Sequence, residues 1–139
     1  MLSAFASEAS ANGLLRHAIE ALPGAPTSVL TGIMVEDPSS LTAQAIVQAA
    51  RGGDSLALAL VGDLCRTLGR VIANLVSLLS PEMVIIGGDF GLELRPFMTE
   101  IRRAVLDWAY PESGRRCRVA LSMLGGRGRL LGAARLAIE

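Results

Sequence analysis

The sequence predicts an α/β fold in which helices far outnumber strands. Three observations carry this reading. Apolar residues recur at three- and four-residue spacing over most of the chain. Only two stretches, Met83–Ile86 and residues 118–123, read as strands. Each is followed by a glycine pair and then by helical periodicity. Strand, helix, strand, helix at this spacing implies two parallel strands joined by a right-handed crossover.

Residues 2–22 place Leu14, Leu15, Ala18, Ile19 and Leu22 at helical spacing, with a break expected near Asn12-Gly13. Arg16, His17 and Glu20 fall opposite, so His17 reads as a solvated position. Residues 23–40 hold Pro23, Pro26 and Pro38 and are expected to be largely non-helical. Their Val29, Leu30, Ile33, Met34 and Val35 would lay this loop over the core. Ser39 or Ser40 caps a helix that runs to Ala50 and buries Ala43, Ile46, Val47 and Ala50. "RGGD", residues 51–54, is glycine-rich, but it lacks the Lys-Ser/Thr of a phosphate loop and no strand precedes it. A helix-ending glycine followed by Asp54 as the next N-cap accounts for all of it.

Residues 55–79 form the longest predicted helix. Its apolar stripe is Leu60, Leu64, Leu68, Val71 or Ile72, Leu75, and Leu78 or Leu79. Gly62 and Gly69 share nearly one face, and each costs about 1 kcal/mol against Ala. A close helix contact, within the domain or across a dimer, is expected to offset that. Ser80-Pro81 ends the helix. Met83–Ile86 is apolar without alternation, as for a strand covered on both faces. Residues 94–109 form the next helix, with Phe97, Ile101, Ala104, Val105 and Trp108 facing in. The run Arg115-Arg116 with Arg118 is expected in the solvated stretch that leads into the second strand, and a last helix spans residues 128–138.

The 139 residues suit one domain, or part of one, and 51% are hydrophobic, which excludes a disordered chain. The 13 basic residues are all Arg and are balanced by 13 acids, so no chain-wide nucleic-acid footprint is expected. Cys65, Cys117 and the lone His17 are too few and too scattered for a metal site, and none is assigned. No apolar run reaches the roughly 18 residues of a membrane span, and the start carries no basic flank of a signal peptide. The expected compartment is the cytoplasm, without a membrane partner. Asp54, Asp63, Asp89 and Asp107 sit in no motif that makes one a general base, so no catalytic residue is assigned.

Two strands alone make a poor sheet. "VQAARGGDSLA", "LGRVIANLVSLLSPEMVIIGGDF", "LRPFMTEIRRAVL" and "VALSMLGGRGRLLGAARLAI" occur in this order across nearly the whole chain. Together they closely resemble the C-terminal third to half of ROK-family proteins (repressors, open reading frames, sugar kinases). The reading "VIIGGD", where kinases favour "GGG", is most similar to ROK transcriptional regulators of high-GC bacteria. The resemblance implies the C-terminal portion of an actin-like, ribonuclease-H-like domain. Three further strands would come earlier in the family's chain, and Val84–Ile86 would lie between Val119–Leu121 and one of them. The family's "DxGGT" phosphate motif, its Asn-Asp catalytic pair and its zinc motif are absent from this sequence. "MLSAFAS" sets Ser3 where the family has a sugar-contacting glutamate, and Met1 at its last zinc cysteine.

The resemblance implies a non-catalytic segment of a regulator's sugar-sensing and oligomerising domain, or the end of an ATP-dependent sugar kinase. A free-standing remnant without a ligand is the third alternative. A homo-oligomer is expected, as is a sugar effector in the full-length protein. Direct nucleic-acid contact by this segment is not expected, and ATP belongs only to a complete homologue. Gly87 and Gly88 match the loop that packs on adenosine in the kinases, which makes Gly87, Gly88 and Asp89 a candidate vestigial nucleotide loop. The favoured alternative is that the same glycines simply make a tight strand-to-helix turn, since Asp89 would repel phosphates unless a metal intervened.

Overall fold

The computed structural model describes residues 9–124 and residue 127. In order come α1 (Ala11–Ala21), α2 (Val29–Glu36), α3 (Ala43–Arg51), α4 (Ser55–Leu79), β1 (Met83–Ile86), α5 (Met98–Trp108), α6 (Pro111–Arg116) and β2 (Arg118–Leu121). The glycine pair at 125–126 and the helix expected over residues 128–138 lie outside the described residues.

α4 is the axis of the fold. It packs along α5 on one side and against α3 and α1 on another. Leu14, Leu30, Ile46, Val61, Val76 and Ile101 are enclosed in one shared cluster. Full enclosure of side chains this size is worth about 1.5–3 kcal/mol each. The α4–α5 seam is close because Gly69 has no side chain. A Cβ there would collide with the Ala104 Cβ and lie 3.2 Å from the Ile101 carbonyl oxygen. The contact expected of the paired glycines therefore exists within the chain at Gly69. Gly62 faces only the Arg66 guanidinium, 3.5 Å from the position a Cβ would take.

Residues 23–40 are not the irregular stretch that three prolines suggested. The prolines stand outside Val29–Glu36 and leave that interval free to coil. Ser28 caps it by accepting from the Leu30 N–H, and Leu30 is fully buried. Asp54 then joins two helices. Its Oδ1 accepts from the Ala57 N–H of α4 (2.8 Å) and from the Ser28 hydroxyl (3.1 Å). Its Oδ2 accepts from Val29 N–H, the first residue of α2 (2.8 Å). Partial burial opposes ionisation of this carboxyl. The donors from Ala57, Val29, Ser28 and Leu56 outweigh it and hold the group below the usual carboxylate range. The cap of α3 is Thr42, not Ser39 or Ser40. Those two serines instead donate to the Asp37 carboxylate in a 3₁₀ turn.

"RGGD" behaves as expected. Gly53 takes φ +90°, and Asp54 begins the next helix. α4 runs over the predicted span and ends at Ser80, the one described non-glycine residue with positive φ. Its stripe drifts, however. Ile72, Ala73 and Val76 are buried, whereas Leu75, Leu78 and Leu79 are exposed. The predicted helix over 94–109 divides, because Pro96 lies in a 3₁₀ segment, Phe90–Phe97, before α5. Trp108 was expected inside and is 60% exposed, stacked under the Arg70 guanidinium at 4.7 Å. The close Gly69–Ala104 approach leaves no room for an indole between the helices. Arg115 and Arg116 belong to α6, a short helix opened by Pro111, rather than to a loop.

β1 and β2 pair in parallel, with Met83 opposite Arg118 and Ile86 opposite Leu121. The Arg118 N–H donates to the Glu82 carbonyl and the Ser122 N–H to the Ile86 carbonyl. Even-numbered residues of β1 thus face β2. Met83 and Ile85 direct their amides and carbonyls to the other edge, where no strand pairs among the described residues. The strand is not covered on both faces either. Val84 and Ile86 pack on the core, while Ile85 is 61% exposed. The outer edge of β2 is shielded differently: the Arg102 Nε–H donates to the Val119 carbonyl at 3.1 Å.

Candidate functional site

Gly87, Gly88 and Asp89 leave the carboxyl end of β1 together, where parallel α/β sheets place their ligands. Gly88 has φ +92°, and its carbonyl accepts from the Gly91 N–H at 3.2 Å. That is a tight turn, and glycine is needed for it. Gly91 is buried beneath the Ile86 carbonyl, 3.5 Å from where its Cβ would stand. Nothing lies within 4 Å of the Cβ position of Gly88, so its backbone stays open from above. Gly87 sits beside Ser122, the residue after β2, at 4.0 Å. All three predicted residues are exposed at one end of the sheet.

Asp89 makes no capping bond to the 3₁₀ segment it precedes. A carboxylate accepts and does not donate, so Asp89 would repel a phosphate unless a cation intervened. A cation at the same end of the sheet was missed in the sequence. Arg95 belongs to the same 3₁₀ segment and reaches the Met123 sulfur at 3.4 Å, just beyond β2. Only the parallel register brings positions 95 and 123 together, and no local motif signals it.

The arrangement is an exposed glycine turn with one carboxylate at the carboxyl end of β1, and a guanidinium held at the same end of the sheet against Met123. Among the described residues no three His, Cys, Asp or Glu side chains come together as metal ligands. Cys65 is buried, and burial, with Glu100 adding to it, pushes its thiol up to about 12, far from a nucleophile. No single helix among the described residues is long and apolar enough to cross a membrane.

Relatives sit on both sides of the family's division of labour. A glucokinase of Streptomyces coelicolor is 31% identical over 94% of this chain and 42% of its own length. A xylose repressor of Caldicellulosiruptor bescii is 26% identical over 75% of this chain and 26% of its own. The solved ROK glucokinase of Streptomyces griseus, in complex with glucose and AMPPNP, superposes with TM-score 0.76 at 30% identity. That match covers 95% of this chain and 43% of the kinase. The chain thus spans well under half the length of these proteins. The helix-rich α/β architecture with two parallel strands is that of the actin-like sugar kinases. The ROK family model matches residues 5–139, and the chain belongs to the ROK family.

Proposed function

We propose that this chain is the non-catalytic C-terminal segment of the sugar-responsive domain of a cytoplasmic ROK transcriptional regulator. The observation that carries this reading is the loop after β1. It offers an open glycine turn with an exposed, uncapped carboxylate at Asp89, where a triphosphate would need donors. In this reading the loop keeps its turn and has lost nucleotide. The sugar effector binds the full-length protein, ATP is not a cofactor, and operator DNA is held by residues other than these. The edge at Met83 and Ile85, unpaired among the described residues, also supports self-association, since bare apolar edges recruit strands.

The second reading is the end of an ATP-dependent sugar kinase. It draws on the glucokinase relatives and on Arg95, a cation at the same end of the sheet as the loop. One experiment separates the two. The protein that carries these residues is assayed for operator retention with and without hexoses and pentoses, and for ATP-dependent phosphorylation of the same sugars. Sugar-dependent release of DNA without phosphorylation is the expected result. Turnover that falls when Gly88 or Asp89 is substituted would establish the kinase instead.

A further inference from the structure

At the amino end of the sheet, opposite the glycine loop, lies a groove of about 500 Å³ between α5, α6 and β2. Its apolar wall includes Met83, Val105 and Leu106. Three guanidiniums line it, from Arg102, Arg115 and Arg118, and no carboxylate does. None of the three has an ion-pair partner among the described residues, in a chain whose total charge is zero.

The groove is built by local structure. Gly114 lets α6 lie against the end of α5, since a Cβ there would stand 3.1 Å from the Ala109 Cβ. α6 is fastened to α4 through the Ser80 and Ser113 hydroxyls (3.1 Å), and its N-cap Tyr110 donates its N–H to the Ser77 hydroxyl (2.9 Å). This sets Arg115 over the groove. Arg102 is held by its Nε bond to the Val119 carbonyl, which leaves both terminal nitrogens as donors for a ligand. Arg118 comes from the first residue of β2.

We propose that this groove binds a small organic anion, a phosphate or carboxylate carried on an apolar body. Its size lies in the range of small-molecule sites, and such sites join apolar walls to a few placed charges. Three arginines converging without carboxylates suit a multi-oxygen anion that each can meet with paired N–H groups. The apolar wall selects against a bare inorganic ion. A concave floor also distinguishes the site from the exposed basic face that a duplex backbone needs. The site is independent of the glycine loop and of the choice between regulator and kinase.

Titration calorimetry on the full chain tests this with 1-naphthyl phosphate as probe and with inorganic phosphate and 1-naphthol as controls. The naphthyl ester should bind saturably, and both controls at least about tenfold more weakly, since each lacks half of the recognition. The double variant R115Q/R118Q should weaken the ester by about tenfold or more. R116Q, whose residue lies outside the groove, should leave it unchanged. Circular dichroism of each variant should match the parent, because all three side chains are exposed. Equal binding of 1-naphthol, unchanged affinity in R115Q/R118Q, or no saturable binding of the ester overturns the proposal. So does salt-sensitive retention of duplex DNA that is lost in the same double variant, which would assign the surface to nucleic acid.

Discussion

The α4–α5 seam and the two-stranded sheet are neighbours, yet one is finished and the other is open. At the seam, Gly69 meets the Ala104 methyl and the Ile101 carbonyl, and Leu64, Ile72, Val76, Ile101 and Val105 are enclosed. At the sheet, among the described residues, β1 uses one edge and one face and leaves Met83 and Ile85 outside. A helix satisfies its own backbone, so its packing needs only side chains from its neighbours. A strand needs a partner for its backbone groups, and that partner can lie anywhere in a protein. The chain is correspondingly self-sufficient in its helices and dependent in its sheet.

The largest effect should come from filling the seam. Gly69→Leu must push α4 and α5 apart, and overpacking of this kind costs about 3 kcal/mol. Urea denaturation should show the loss as a lower midpoint. An unchanged midpoint would mean that the seam is not the rigid region assigned to it.

Asp54→Ala should come next, at about 2 kcal/mol, because one carboxylate serves the first turns of α2 and α4. The effect should depend on pH with a definite sign. The folded carboxyl is held below its unfolded value of about 3.9, so its stabilisation is complete above that value. It is lost as pH falls through the folded value. The gap between parent and variant should therefore be full at neutral pH and narrow in acid. A gap that widened in acid would contradict the double cap.

The open sheet predicts a change in association rather than in stability. The chain should form dimers or higher species at micromolar concentration by light scattering. The double variant M83K/I85K should shift it toward monomer, with chain stability moved by no more than about 0.5 kcal/mol. A parent already monomeric, with cooperative melting, would show that the edge is closed by residues beyond those described.

The smallest effect sharpens the contrast between two glycines on one helix. Gly62→Ala should stabilise by up to about 1 kcal/mol, since it gains helix propensity and meets only a flexible guanidinium. A thermal midpoint that falls instead would place a close partner against Gly62 in the assembled protein.

Much of the fold was legible in the residues themselves. The span of α4, the glycine stop and aspartate start at "RGGD", both strands and their parallel order follow from periodicity and capping chemistry. These signals are local, so the sequence carries them whole. α2 was misread because prolines were counted rather than placed: they bound the interval 29–36 and do not interrupt it. Likewise, two serines beside a proline resembled a cap, but the Asp37 carboxylate takes their hydroxyls and Thr42 caps α3.

By itself the sequence determined the span of α4, the stop and start at residues 51–54, and the two strands with a glycine pair after the first. Tertiary structure alone decided which apolar residues are enclosed. Periodicity gives a helix face but not how far its neighbour extends, so Trp108 and Leu78 were assigned inward and lie outside. Only the fold joins Asp54 to α2, brings Arg95 to Met123, and gathers Arg102, Arg115 and Arg118 around one groove. Each of these depends on contacts between positions far apart in the chain. Such contacts are set by the packing of α4, α5 and the parallel register of β1 and β2, and no spacing rule in the sequence encodes them.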